Sequence, residues 1–229
     1  MTLERLTERV WIAPFEEERD RPTLGYIRGD HWSLAVDAGH SADHTLSFYR
    51  FLEAEGLPLP SLTVLTHWHW DHTFGMHAVN GLCIANAKTN RYLIDFKEKL
   101  DRNGPEKEFF PLHESIRREY EKDRAVIVRP ADIVYTGEIT LDAGNCPVRL
   151  LGTPSPHTDD STLIHVINEG VLFVGDTTGG TFPTWEKDPA LCRKLIRTLE
   201  SIDFTTCVES HWTPDTKEAL IRDLRKEIE

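Results

Sequence analysis

Between His67 and His72 the chain reads His-Trp-His-Trp-Asp-His, three imidazoles and a carboxylate in six residues. A plain hydrophobic core does not collect such rings, because a buried ring nitrogen without a partner costs free energy. The preceding "SLTVLT" (Ser61–Thr66) is a short apolar strand that runs straight into the cluster. Where a chain leaves a strand and starts a helix, His67 and His69 project to the same side. Asp71 and His72 then fall on the first helical turn. Four donors thus face one small volume. Imidazole nitrogens combined with a carboxylate suit zinc or iron rather than calcium or magnesium.

Three further donors stand where apolar strands end, the usual place for a site. His157 lies in "TPSPHTDDS" after "VRLLG", Asp176 closes "VLFVGD", and His211 follows "TCVES". Singly, each has an ordinary reading as a turn histidine or a capping aspartate. In this order behind H-x-H-x-D-H, they form a set.

The elements that must position them are readable from pattern. "ERVWIAP" (Glu8–Pro14), "TLGYIRGD" (Thr23–Asp30) and "HWSLAVDAG" read as strands, the last ending at Asp37. Ser41 caps a helix through about Glu55, with Leu46, Tyr49 and Leu52 on one stripe. "GLCIAN" is another strand. Residues 87–124 are rich in Lys, Arg and Glu and helical in pattern, broken at "NGP" (Asn103–Pro105). They read as a solvated helical face, with a lid or dimer contact as the sharper alternative. Strands resume with "AVIVRP", "DIVYTG", "EITL", "CPVRLLGT", "STLIHVI" and "GVLFVGD". A helix spans Pro189–Ile202 with Leu191, Leu195, Leu199 and Ile202 along one face. Strand "TTCVESH" and a final amphipathic helix from Asp215 complete the chain. The order gives one α/β domain over residues 1–229, in layers, with two sheets inside and helices outside.

Composition limits the partners. The balance of 26 basic against 38 acidic residues gives a net charge of −12, which disfavours nucleic acid and anionic membrane. The N-terminus has no apolar run suited to a signal peptide, and no 18-residue apolar window occurs, so a cytoplasmic enzyme with a small-molecule substrate is expected. Cys83, Cys146, Cys192 and Cys207 are scattered without a C-x-x-C pair and read as buried, reduced thiols.

Taken together, Asp37 in "AVDAG", the H-x-H-x-D-H motif, His157, Asp176 and His211 make nearly the whole chain similar to the metallo-β-lactamase superfamily, a four-layer αββα fold. The resemblance implies that His67, His69 and His157 hold one metal, that Asp71, His72 and His211 hold the other, and that Asp176 bridges them. Asp37 would orient ligands from behind. Seven donors exceed one tetrahedral zinc, and split around a shared carboxylate they leave open positions for a bridging hydroxide. The implied activity is dinuclear hydrolysis of a small ester, thioester, lactone or phosphodiester. Two zinc ions per chain are expected, with iron or manganese as alternatives. Asp71, Asp176 and His211 are the candidates for a catalytic part.

Departures narrow the choice. The commonest class B β-lactamases carry Cys where Asp176 stands, glyoxalase II has "PGH" where this chain has "PSPH", and flavodiiron proteins place Glu in the motif. The competing reading is a mononuclear iron oxidoreductase of the persulfide dioxygenase kind, which uses only two His and an Asp. Trp68 and Trp70 alternate with the ligands and should point away to pack. Trp185 and Trp212 are candidates to line a pocket, and the loops Phe15–Pro22 and Gly179–Pro189 to set the substrate.

Overall fold

The computed structural model describes residues 2–228. The first half of the chain builds a seven-stranded sheet whose strands stand in sequence order: β1 (Glu4–Arg5), β2 (Val10–Ala13), β3 (Leu24–Arg28), β4 (Ser33–Val36), β5 (Leu62–Val64), β6 (Leu82–Asn86) and β7 (Ile133–Tyr135). β1 to β4 meander antiparallel, whereas β4 to β7 run parallel. Parallel neighbours need long crossovers. Helix α1 (Ala42–Ala54) supplies the first, and the histidine-rich turn with α2 (Trp70–Thr73) the second. The third carries α3 (Ala87–Asn103), α4 (Pro105–Glu108) and α5 (Glu114–Glu119).

The second half gives a six-stranded sheet in the order β13-β12-β11-β10-β9-β8, formed by β8 (Glu138–Asp142), β9 (Pro147–Gly152), β10 (Thr162–Val166), β11 (Val171–Gly175), β12 (Thr206–Glu209) and β13 (Asp215–Thr216). Helix α6 (Pro189–Ser201) joins the parallel pair β11 and β12, and α7 (Lys217–Lys226) follows β13.

Alternation along the strands explains the layers. Val10, Ile12, Leu34, Val36 and Val64 of one sheet meet Val148, Leu150, Ile164, Phe173 and Val208 of the other in a single apolar cluster. The residues between them face outward: Trp11, Leu24 and Tyr26 lie under Phe48, Tyr49 and Leu52 of α1. On the opposite side Leu163, Leu172 and Val174 lie under Leu195 and Leu199 of α6 and Leu220 and Leu224 of α7. This is the αββα layering expected from the sequence. All four cysteines are free and buried. Among the described residues, no helix is long and apolar enough to cross a membrane.

Helix caps agree with the sequence where polar chemistry is local. The Ser41 side chain accepts from the His44 N–H at 3.2 Å, and Asp188 accepts from the Ala190 N–H at 2.7 Å ahead of Pro189. Four expectations need correction. Leu46 is 46% exposed, and the buried face of α1 is His44, Thr45, Phe48, Tyr49 and Leu52. "AVIVRP" (Ala125–Pro130) is not a strand, because the free edge of β6 is already paired with Ile133–Tyr135. Asp215 pairs Cys207 in a short strand, so the last helix begins at Lys217 with Thr216 as its cap. Residues 87–124 are not simply a solvated face. Leu93, Phe96, Leu100, Phe109 and Ile116 pack on Leu65, Phe74, Cys83 and Ala85.

Candidate metal centre

The parallel strands β4 and β5 end side by side, so the residues after each emerge at one sheet edge. Asp37 follows β4 in the left-handed region, at φ 63°. Its N–H donates to the Val64 carbonyl at 2.8 Å. Its carboxylate accepts from the Thr66 N–H (2.7 Å), the Thr66 hydroxyl (2.8 Å) and His72 Nδ1–H (2.8 Å). Asp37 therefore stands behind His72 and turns Nε2 of that ring away from itself. From the other sheet, β11 ends in an irregular register against β12 at Gly175, which has φ 59°. A Cβ there would lie 3.0 Å from that of Thr66, so glycine allows the two sheet edges to close and places Asp176 at the junction. The Thr162 N–H donates to the Thr66 carbonyl at 2.7 Å across the same junction.

All seven donors singled out in the sequence arrive at this edge, in two groups. The donor atoms of His67, His69 and His157 lie within 4.8 Å of one another, as do those of Asp71, His72, Asp176 and His211. His157 Nδ1–H donates to the Gly180 carbonyl at 2.8 Å, which directs Nε2 to within 2.9 Å of His69 Nδ1. Asp176 spans the groups: Oδ2 is 3.6 Å from His157 Nε2 and 3.3 Å from His211 Nε2, and Oδ1 is 3.5 Å from His72 Nε2. Asp37 is not a donor in either group.

The donor set fits cations. His67 Nε2, His72 Nε2 and Asp176 Oδ1 are buried yet hydrogen-bonded to nothing, although buried polar atoms are normally paired. Burial pushes His67 well below the ordinary imidazole value, and the rings of His72 and His69 act in the same direction. Burial and His157 lower His69 to about 3. Both rings are thus neutral at pH 7, the form a metal requires. The second group pairs its rings with carboxylates, and a cation binding there would displace the ring protons. Burial opposes charge on His72 and His211, yet Asp71, Asp176 and Asp37 raise His72 well above its ordinary value. Asp176, Asp20 and Asp71 do the same for His211. Burial would likewise raise Asp71 and Asp176, but His72 and His211 hold both well below the usual carboxylate range.

Beside the groups opens a cavity of about 330 Å3. Trp185 and Trp212 line it, 56% and 69% exposed, as does Phe182. Trp68 packs outward on Tyr92 and Phe96, at centroid distances of 5.9 and 5.7 Å. Trp70 does two things: it packs on Phe109 and Phe182 and also forms part of the cavity wall. Sequence reasoning missed Asp20, which lines the cavity with Oδ1 3.3 Å from His211 Nδ1, and also Glu209 and His113. Of these only Asp20 left any signal, through its place in the loop Phe15–Pro22.

The metallo-beta-lactamase superfamily profile matches residues 25–206, and the chain belongs to that superfamily. Its fold is similar to that of a metallo-beta-lactamase from Pontibacter korlensis, with 15% identity over 97% of this chain and 96% of that one, at a TM-score of 0.70. An archaeal superfamily protein from Sulfolobus tokodaii gives 20% identity over 97% and 87% of the two chains, at 0.67. The stereoselective inverting sec-alkylsulfatase from Pseudomonas sp. gives 12% identity over 99% of this chain and 41% of that chain, at 0.69.

Proposed function

We propose that the protein is a dinuclear metal hydrolase of a small ester, thioester, lactone or phosphodiester. In this reading His67, His69 and His157 hold one cation, Asp71, His72 and His211 hold the other, and Asp176 is shared. Zinc suits this mixture of imidazole and carboxylate best, and iron or manganese would also fit it. The observation that carries the reading is the Asp176 carboxylate, within 3.6 Å of His157 on one side and 3.5 Å of His72 on the other.

Metal ions so held would lower the pKa of a trapped water and polarise the bond under attack. The chain's own part is orientation. Asp37 fixes the face of His72, Gly180 that of His157 and Asp20 that of His211, so the donor atoms point inward before any ion arrives. Asp71 and His211 border the cavity, where a proton can pass to a departing oxygen or sulfur. The core shared between the sheets supports a single domain over 1–229. The four free thiols suit a reducing compartment, and we place the enzyme in the cytoplasm on that ground.

Metal analysis after zinc reconstitution tests the reading. Two ions per chain and turnover on a panel of chromogenic esters, thioesters, lactones and phosphodiesters are expected. One iron per chain with oxygen uptake would instead establish the persulfide dioxygenase-like alternative.

A further inference from the structure

The cavity wall has a chemistry of its own, apart from the metal donors. Besides Asp71 and Asp176, its charged residues are Asp20 and Glu209, and no Lys or Arg lines it among the described residues. The rest of the mouth is aromatic and is held in place. Thr181 and Glu186 bridge the base of a hairpin, with the Thr181 N–H donating to the Glu186 carbonyl at 2.9 Å. The Trp185 N–H donates to the Thr181 carbonyl at 2.7 Å, with the backbone of Trp185 in the left-handed region at φ 59°. Its indole stacks on His157 (centroids 6.2 Å apart, 21° between planes) and meets Phe182 edge-on at 5.7 Å. Phe182 rests in turn on Trp70 at 5.1 Å. Trp212 stands on the same cavity beside His211.

Large exposed rings around a concave site mark a binding surface rather than core. Resting on the hydrolase reading, we propose that this site selects substrates whose non-reacting part is flat, apolar and free of negative charge. An anionic group on that part would lose water beside Asp20 and Glu209, and the His211 ring on the same wall is already committed to Asp20, Asp71 and Asp176. The net charge of −12 repels it already at a distance. An aromatic or alicyclic group gains area against Trp185, Phe182 and Trp212. The metals serve only the reacting end of the molecule, so they do not relieve the conflict at the other end. Within the hydrolase reading this favours aryl and arylalkyl esters or thioesters over half-esters of dicarboxylic acids.

The test compares two 4-nitrophenyl esters of similar size on the zinc-loaded protein, the phenylacetate and the half-ester of glutaric acid. A kcat/KM at least tenfold higher for the phenylacetate is expected, with the ratio shrinking in Trp185→Ala. Equal values or a preference for the half-ester would overturn the proposal. Should neither ester be cleaved, the wider panel of thioesters, lactones and phosphodiesters decides the hydrolase reading, and the pocket is judged by fluorescence. Relative to their action on free tryptophan amide, caesium should then quench the exposed tryptophans more strongly than iodide, and 2-phenylacetamide should give a saturable shift that the Trp185→Ala, Trp212→Ala double variant loses. Stronger relative quenching by iodide, or no saturable shift, overturns it independently of turnover.

Discussion

His211 is gripped at both ring nitrogens: Nδ1 lies 3.3 Å from Asp20 Oδ1, and Nε2 lies 3.2 Å from Asp71 Oδ2. The same Asp20 carboxylate accepts from the Ser115 hydroxyl at 3.3 Å, so a helix more than ninety residues away steadies a proposed ligand. Carboxylates behind metal-binding histidines commonly change affinity ~10–100-fold. Asp20→Ala and Asp37→Ala should therefore each weaken one cation by about that factor and leave the His67–His69–His157 group nearly intact. Competition with a chelator resolves the two affinities, and two unchanged constants would reduce both residues to turn formers. Asp176→Ala should abolish turnover in a folded protein and lower metal content, since its carboxylate lies near His157 on one side and His72 and His211 on the other; wild-type rates would contradict its assignment. The six residues from His67 were legible because their spacing is local to one strand end, and Asp37 only through the family resemblance. Asp20 was not, because its partner is set by packing between distant parts of the chain.

Three elements meet at one buried carboxylate. Arg21, in the loop that carries Asp20, donates to Glu119 of α5 through Nε at 2.7 Å and Nη2 at 2.9 Å. The Ser41 hydroxyl at the start of α1 donates to the same Glu119, and Arg21 also reaches Asp43 at 2.6 Å. Removing one partner of a buried pair costs about 3–5 kcal/mol where the other charge keeps no compensation, and here Asp43 still reaches Arg21. Glu119→Ala should thus lower stability in urea by at most about that much, whereas Arg21→Met with Glu119→Leu should recover most of the loss. A loss below about 1 kcal/mol in the single variant would show that water relieves the pair. This pairing explains why residues 87–124 misread as a plain solvated face. Their charges are mostly exposed, but Glu119 turns inward, and single-sequence pattern does not say which acid of many does so. "AVIVRP" misread for the converse reason. Its β-branched residues fit a strand, and Val126 and Val128 do pack on the core, but the edge of β6 is taken by Ile133–Tyr135.

At the scale of the whole molecule, His40 and His44 are buried, with both ring nitrogens of His40 and Nε2 of His44 unpaired. Burial lowers His40, and burial together with the Arg21 charge places His44 well below its ordinary 6.5. The unfolded chain therefore takes up these protons first as pH falls, and stability must rise with pH across that range. This contribution is fully present at about 6.5 and lost progressively below, where His72 and His211 are protonated folded and unfolded alike, so it is read from urea midpoints of metal-free protein at about pH 6.5 and 5. Equal midpoints would sink the idea. A last consequence follows from where the donors originate. Each group takes members from both halves of the chain, His67 and His69 with His157, and Asp71 and His72 with Asp176 and His211. A cation in either would thus act as a bolt through the seam between the sheets, worth about 4 kcal/mol at a thousandfold excess over Kd. Chelation should loosen that seam before either sheet melts, and faster exchange of the Thr162 amide, which crosses it to Thr66, would be the first sign.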